Sequence, residues 1–281
     1  MSIDMATILT QQFKLKAQLP RSLMGVSGQL YSSLHHQPAR FKHRPSTILA
    51  ARQSTRINLL YRSFMASASS HEKSKSIGMD WDDLSDERKI QWLLNSGSTK
   101  EKWGWVIYRC SYKPELQNTW ESFKHFVDKR TRKEIAESDA PDIADKLDWV
   151  FVEDPELEGA SLDELKRRFR AWARSEVQGE YDIDSSPHNR GSRYAYFIQV
   201  DEAALLSLVD GLSNGHVNIV RGWVDPLPPE EATDEFGDAI DIEDWMKIKA
   251  NMVAPYFYVD LEGEEDWYVH YSPPPYGLCI W

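Results

Sequence analysis

Hydrophobic positions along this chain change period repeatedly, and each change marks an element. From Trp81 the apolar residues Leu84, Ile90 and Leu93 fall at helical spacing behind Ser85-Asp86-Glu87, which predicts a short helix through Leu94 ended by Gly97. Trp103–Tyr112 is β-branched and aromatic and stops at Pro114, a strand. Leu116, Trp120, Phe123 and Val127 restore helical spacing over Leu116–Glu137. Leu147–Val152 reads as the second strand. Leu162–Val177 reads as a helix, with Ser161 and Glu164 in capping-box register. Tyr194–Val200 is a third strand, Ala203–Val209 a short helix ended by Gly211, and Val217–Val224 a fourth strand.

The order β-α-β-α-β-α-β over residues 103–224 fits two architectures. A doubly wound sheet would make an α/β three-layer protein. A ferredoxin-like α+β sandwich would use β-α-β units with an additional helix. The strands are short, aromatic-rich and alternate in polarity, which suits one exposed sheet face. No glycine-rich turn follows the first strand to hold a dinucleotide. The expectation is therefore the ferredoxin-like sandwich. Residues 225–251 form an acidic, proline-rich loop, with a helical turn or two expected between Ile240 and Lys249. Two aromatic runs around Leu261-Glu262-Gly263-Glu264-Glu265 read as a C-terminal hairpin within residues 252–281. Leu278, Ile280 and Trp281 are expected to pack on the body.

Charge divides the 281 residues. The overall net charge is −11, yet residues 1–71 hold nine Lys+Arg and one acid, Asp4, leaving 24 basic against 43 acidic residues beyond them. An acidic body repels phosphate backbones, which makes nucleic acid an unsuitable partner for it. The first 79 residues read as a basic, acid-poor leader and linker, largely disordered, with residues 80–281 as one α+β domain. The leader's Arg- and Ser-rich composition is that of a mitochondrial transit peptide, with Arg62-Ser63-Phe64 resembling a processing site. The matching address is the mitochondrial matrix. A mispredicted gene start at Met65 or Met79, or a disordered tail on a cytoplasmic protein, are the alternatives. No stretch approaches the roughly 18–20 apolar residues of a membrane helix. Two cysteines, Cys110 and Cys279, fit no metal spacing, and their pairing is open.

Candidate chemistry is sparse. His188, Arg190 and Arg193 gather in a loop before the third strand, where arginines could hold a carboxylate or phosphate and a histidine could move a proton. His270 sits among aromatics and is the other proton-transfer candidate, while Arg109 could anchor an anion. Glu153-Asp154 and Asp201-Glu202 end two strands, where they could hold a metal or act as acid and base. Their ordinary use is as caps and turn starters. His125 reads as a helix-surface residue and His216 as part of a turn. No metal site, nucleotide motif or cofactor is implied. Eleven tryptophans, several of them in strands, would either fill the core or form an aromatic face for a partner chain or a second copy.

The stretch Trp103-Gly104-Trp105-Val106-Ile107-Tyr108-Arg109-Cys110-Ser111-Tyr112 resembles the opening of a family of uncharacterised filamentous-fungal proteins. The similarity runs on through Trp149–Asp154, Phe169–Trp172 and Tyr196–Glu202. It implies a fungal source and transfers no catalytic residue. Two functions follow from the whole reading: a protein-interaction or ligand-binding module, or a cofactor-free small-molecule enzyme of the α+β-barrel kind serving fungal secondary metabolism. The enzyme would use His188 or His270 in a concave apolar pocket; the module would bind through Arg109, Arg190, Arg193 or an aromatic face.

Overall fold

A computed structural model describes residues 80–96, 102–177, 182–185, 190–263 and 265–280. The basic leader, its transit-peptide signature, Gly97, His188 and Trp281 lie outside these residues. Five strands form one mixed sheet: β1 (Val106–Arg109), β2 (Val150–Val152), β3 (Tyr196–Val200), β4 (His216–Arg221) and β5 (Trp245–Lys249). Their order is β2-β1-β3-β4-β5. β1 pairs parallel with β2 (Ile107 opposite Phe151) and with β3 (Ile107 opposite Ile198). β3–β4 and β4–β5 are antiparallel.

The helices form where apolar spacing and caps coincide. α1 (Asp86–Asn95) is capped by the Ser85 hydroxyl, which accepts from the Arg88 amide. α2 (Gln117–Glu137) follows a 3-10 turn opened by Pro114. α3 (Leu162–Val177) begins at Ser161, whose hydroxyl accepts from the Glu164 amide at 3.3 Å. α4 (Gly191–Ala195) is a single turn leading into β3. α5 (Glu202–Leu208) is capped by Asp201, and α6 (Pro255–Asp260) and α7 (Asp266–His270) close the chain.

The α+β class holds, but the sheet is covered on both faces. Ile107, Ile198 and Ile219 face a large cluster with Leu93 of α1, Trp120 and Phe123 of α2, Leu205 of α5 and Phe257 of α6. Val106, Tyr108, Phe197 and Val220 face Leu165 and Phe169 of α3 on the other side. This is the layering of the three-layer alternative. The pairing does not follow the ferredoxin-like β-α-β-β-α-β pattern. Polar alternation suggested an open face because Arg109, Gln199, Asn218 and Arg221 sit in or at the ends of strands. All four are buried. Buried polar groups with partners read, in sequence, just like a solvated face.

The C-terminal hairpin is also corrected. Both aromatic runs are short helices, α6 opened by Pro255 and α7 by Asp266. The Pro255 ring has no N–H to give a ladder and a φ already suited to the first helical turn. The last strand instead comes from Trp245–Lys249, where Met246 and Ile248 are buried and Trp245, Lys247 and Lys249 half-buried. This is period two, in place of the helical turn expected there.

Three of the tryptophans that read as strand residues belong to the core. Trp103, Trp105 and Trp267 are buried, with Trp105 against Tyr258 at 5.4 Å and Trp267 stacked on Tyr196 at 5.6 Å. These three present no aromatic face to a partner; Trp149 and Trp223 are half-buried. Gly104 makes this corner possible, at φ 107° and with its missing Cβ only 2.9 Å from the Asp148 carbonyl oxygen. A Gly104→Ala chain must strain the backbone and push β1 from β2. It should lose about 2–3 kcal/mol of stability, measured by urea denaturation.

Candidate functional site

Trp223 organises the amino end of β3. It follows β4 through Gly222, where any Cβ would meet the Phe169 ring at 2.3 Å. The Gly222 amide donates to the Ala195 carbonyl at 2.9 Å, and Arg170 Nε donates to the Gly222 carbonyl at 2.7 Å. The indole Nε1 donates to the Tyr194 carbonyl at 2.7 Å. With the ring so fixed, three guanidiniums stand near it: Arg190 at 4.2 Å, Arg174 at 5.4 Å and Arg170 at 5.6 Å. Arg170 also pairs with Asp225 at 2.7 Å. Each cation gains from the negative face of the indole. Arg190 is aimed by two carbonyls, Ile183 at 3.0 Å and Asp184 at 3.3 Å. Arg174 pairs with Asp184, and its hydrogen bond holds that carboxyl below the usual range.

Beside Trp223 lies a cavity of about 70 Å³ between Arg190, Tyr196, Arg221 and Glu262, with Gly191 and Gly263 at its rim. Arg221 is buried at the end of β4, donates Nη1 to the Tyr268 hydroxyl at 3.2 Å and lies over that ring at 5.2 Å. Glu262 accepts from the Ser192 amide at 3.3 Å and from the Ser192 hydroxyl at 3.4 Å. The cavity thus has guanidinium on two walls, an indole on a third and one carboxylate. Planar guanidiniums suit carboxylate oxygens, and a nearby carboxylate can accept from a hydroxyl or ammonium on the same ligand.

The sequence candidates divide. Arg190 lines the cavity. Arg193, three residues on, is fully buried and donates to the Gly104 carbonyl (3.0 Å), the Asp148 carbonyl (2.8 Å) and Asp148 Oδ2 (2.7 Å). It is a clamp between strands, not a ligand contact. Arg109 is 3% exposed at the opposite end of β1. It donates to the Ser111 carbonyl and Gln117 Oε1, each at 2.8 Å, and lies over Tyr112 at 4.4 Å. His188 lies outside the described residues. His270 is on α7, edge-on to Phe257 at 5.3 Å, and does not line the cavity. Arg221, Trp223 and Glu262 were missed. The only signal for the first two was an arginine followed by Gly-Trp at a strand end.

Where β1 and β3 part, the strand order reverses, and in open α/β sheets ligands sit beyond the carboxyl ends at such a point. Here that edge is occupied by the chain's own pairs. Glu153 meets Lys124 and, at 3.7 Å, Arg109; burial pushes its carboxyl up, but the hydrogen bond from Lys124 and the charges of Lys124 and Arg109 bring it below the usual range. Glu202 pairs with Lys113 at 2.6 Å. Asp154 holds Arg168 and starts a turn; Asp201 caps α5 and accepts from Asn218. The four strand-end carboxylates therefore cap and pair. Among the described residues no group of three His, Cys, Asp or Glu is placed to hold a metal. Cys110 and Cys279 are buried and unpaired with each other, and burial pushes their thiols up to about 12 and about 11. Thiols so placed stay protonated and unreactive at neutral pH.

Comparison with known proteins adds little to the geometry. No protein family matches the chain, and no solved structure matches it. A stretch of 102 residues is 28% identical to part of the genome polyprotein of bovine enteric calicivirus Newbury agent-1, covering 36% of this chain and 4% of the polyprotein. The chain thus spans a small fraction of that relative, and the likeness assigns no family. Among the described residues no helix is long and apolar enough to cross a membrane.

A second pair of titratable groups lies between α6 and α7. Asp260 is pushed up to about 6 by burial first, then by the charge of Asp86, with Lys89 opposing and Asp266 adding to the rise. His270 is held below its ordinary value by burial, and its Nε2 is 3.9 Å from Asp260 Oδ2, too far for a hydrogen bond. Because the folded state holds the Asp260 proton more tightly than the unfolded chain, ionisation costs stability as pH rises from about 4 to about 6. Asp260→Asn should therefore be near neutral at pH 4 and stabilising by about 1 kcal/mol above pH 6.5. The figure is small because a third of the side chain still meets solvent. Urea denaturation of both proteins at the two pH values measures it.

Proposed function

We propose that residues 80–281 form a ligand-binding module whose ligand is a small carboxylate seated between Arg190 and Arg221. One observation carries this reading: two guanidiniums and the Trp223 indole border the same cavity. Small-molecule sites for drug-sized ligands run to roughly 300–1,000 Å³. A cavity of about 70 Å³ suits instead an acid of a few heavy atoms. A hydroxyl or ammonium on that acid would be met by Glu262. The enzyme alternative needs a histidine in a large apolar pocket. His270 packs on Phe257 and does not line the cavity, so the enzyme reading would have to rest on His188, which lies outside the described residues.

A ligand this small has few atoms with which to gain affinity, so binding in the micromolar to millimolar range is expected. At about ten times Kd it stabilises the folded state by about 1.4 kcal/mol. That raises the Tm by about 2–4 °C in a chain of this size. The test is thermal unfolding of the full chain with acetate, glycolate, glycine and phosphate. Glycolate or glycine should exceed acetate, and Arg190→Ala should weaken the response at least tenfold while Lys124→Ala leaves it unchanged. No response to any of the four, or a response indifferent to Arg190→Ala, contradicts the reading.

A further inference from the structure

The connection from β4 to β5 carries an unusual surface. Between Glu230 and Glu243 there are seven acidic residues and no Lys or Arg. At their centre Phe236 is 72% exposed, and Ile240 is exposed nearby. This segment has a definite shape. Thr233 bridges Ala239, the Asp234 amide donates to the Asp238 carbonyl at 2.8 Å, and the Ile240 amide donates to the Ala232 carbonyl at 3.0 Å. The Asp234 side chain accepts from the amides of Phe236 and Asp238, both at 2.9 Å, and Gly237 takes φ 84° to complete the turn. Asp241 is held by the Tyr271 hydroxyl. The result is a small preformed hairpin with an aromatic ring at its tip and carboxylates around it. An aromatic ring left in water on an ordered turn forgoes the gain that burial would give.

The complementary surface lies on α2. A groove of about 500 Å³ opens between α2 and the turn after α5, floored by Phe126 and Leu212 and edged by His125, Lys129, Arg130 and Lys133. Arg130 is engaged by Glu134 at 2.7 Å and by the Asn251 carbonyl. Lys133 is only loosely paired, at 3.8 Å from Glu137, and both it and Lys129 are exposed. The groove is an apolar floor with a cationic rim on an otherwise acidic body. Phe236 is not among its lining residues, so one molecule does not fill its own groove.

We propose that the groove receives the acidic hairpin of a second copy of this chain, with Phe236 on the Phe126–Leu212 floor and the hairpin carboxylates against Lys129 and Lys133. Charge complementarity chooses this occupant: the acidic hairpin, with Asp234, Glu235 and Asp238 in it and four more acids flanking it, meets the basic rim, and its exposed ring meets the apolar floor. The contact is between unlike surfaces. Two molecules can make it twice about a two-fold axis, or many can make it head to tail around a ring. A single hairpin tip buries less than the roughly 1,200 Å² of a stable interface, so the association is reversible and salt-sensitive. The preformed turn lowers its entropic cost. This inference stands apart from the carboxylate cavity and survives its failure.

Sedimentation velocity of the full chain over a concentration series tests it. The wild type should associate reversibly and several-fold more weakly in high salt. Phe236→Ser, and separately Lys129→Glu with Lys133→Glu, should each weaken association at least tenfold without lowering the Tm. Mixing the two variants should restore part of it, because the intact hairpin of one still fits the intact groove of the other. A wild type that stays monomeric to about 100 μM overturns the proposal. So does assembly that ignores both sets of substitutions, or a mixture no stronger than its components.

Discussion

A single buried guanidinium holds the entrance of the sheet together. Arg193 has no solvent exposure and reaches the Gly104 carbonyl ahead of β1, the carbonyl and one carboxylate oxygen of Asp148 ahead of β2, and its own segment ahead of β3. Three parallel strands are thereby tied at one edge by one side chain. A charge so buried must be paired, since breaking such a pair costs about 3–5 kcal/mol. The clamp also fixes the path of the chain around it. Gly191, at φ 54°, turns the backbone into α4, and this turn leaves Arg190 facing the cavity while Arg193 points into the core. Two arginines three residues apart thus receive opposite tasks.

The same economy explains why the cavity lies at the amino end of β3. The carboxyl edge, where a parallel sheet offers a crevice, is filled by Arg109, Glu153, Lys124, Lys113 and Glu202 in mutual pairs. At the amino edge two glycines at the cavity rim and Gly222 beneath Trp223 keep side chains small where backbone and ring approach. Space remains there, bordered by Arg190, aimed by the Ile183 and Asp184 carbonyls, and by Arg221, which donates to the Tyr268 hydroxyl.

Much of this was legible in the residues, and the failures share a cause. Helices with caps and clear spacing were read closely: Leu162–Val177 coincides with α3, and Leu116–Glu137 differs from α2 by one residue. Strand residues that are polar and buried misled, because Arg109 and Gln199 look solvated until their partners are known. The aromatic C-terminal runs looked like strands by composition, and only packing on Trp105 and Tyr196 shows them as helices. The Lys-Ile-Lys alternation of β5 was visible but was overshadowed by the acidic stretch before it. For the site, the loop reading found Arg190, yet Arg221 and Glu262 come from distant segments and meet it only through the fold.

Anion recognition by Arg190 and Arg221 is the claim on which the functional account rests. Anomalous diffraction from crystals soaked in selenate, which carries an oxyanion's charge and a locatable scatterer, tests it directly. The account predicts a selenium peak in the cavity within hydrogen-bond reach of both guanidiniums, displaced by competing glycolate. Water alone in the cavity, with selenate confined to surface lysines, would contradict it.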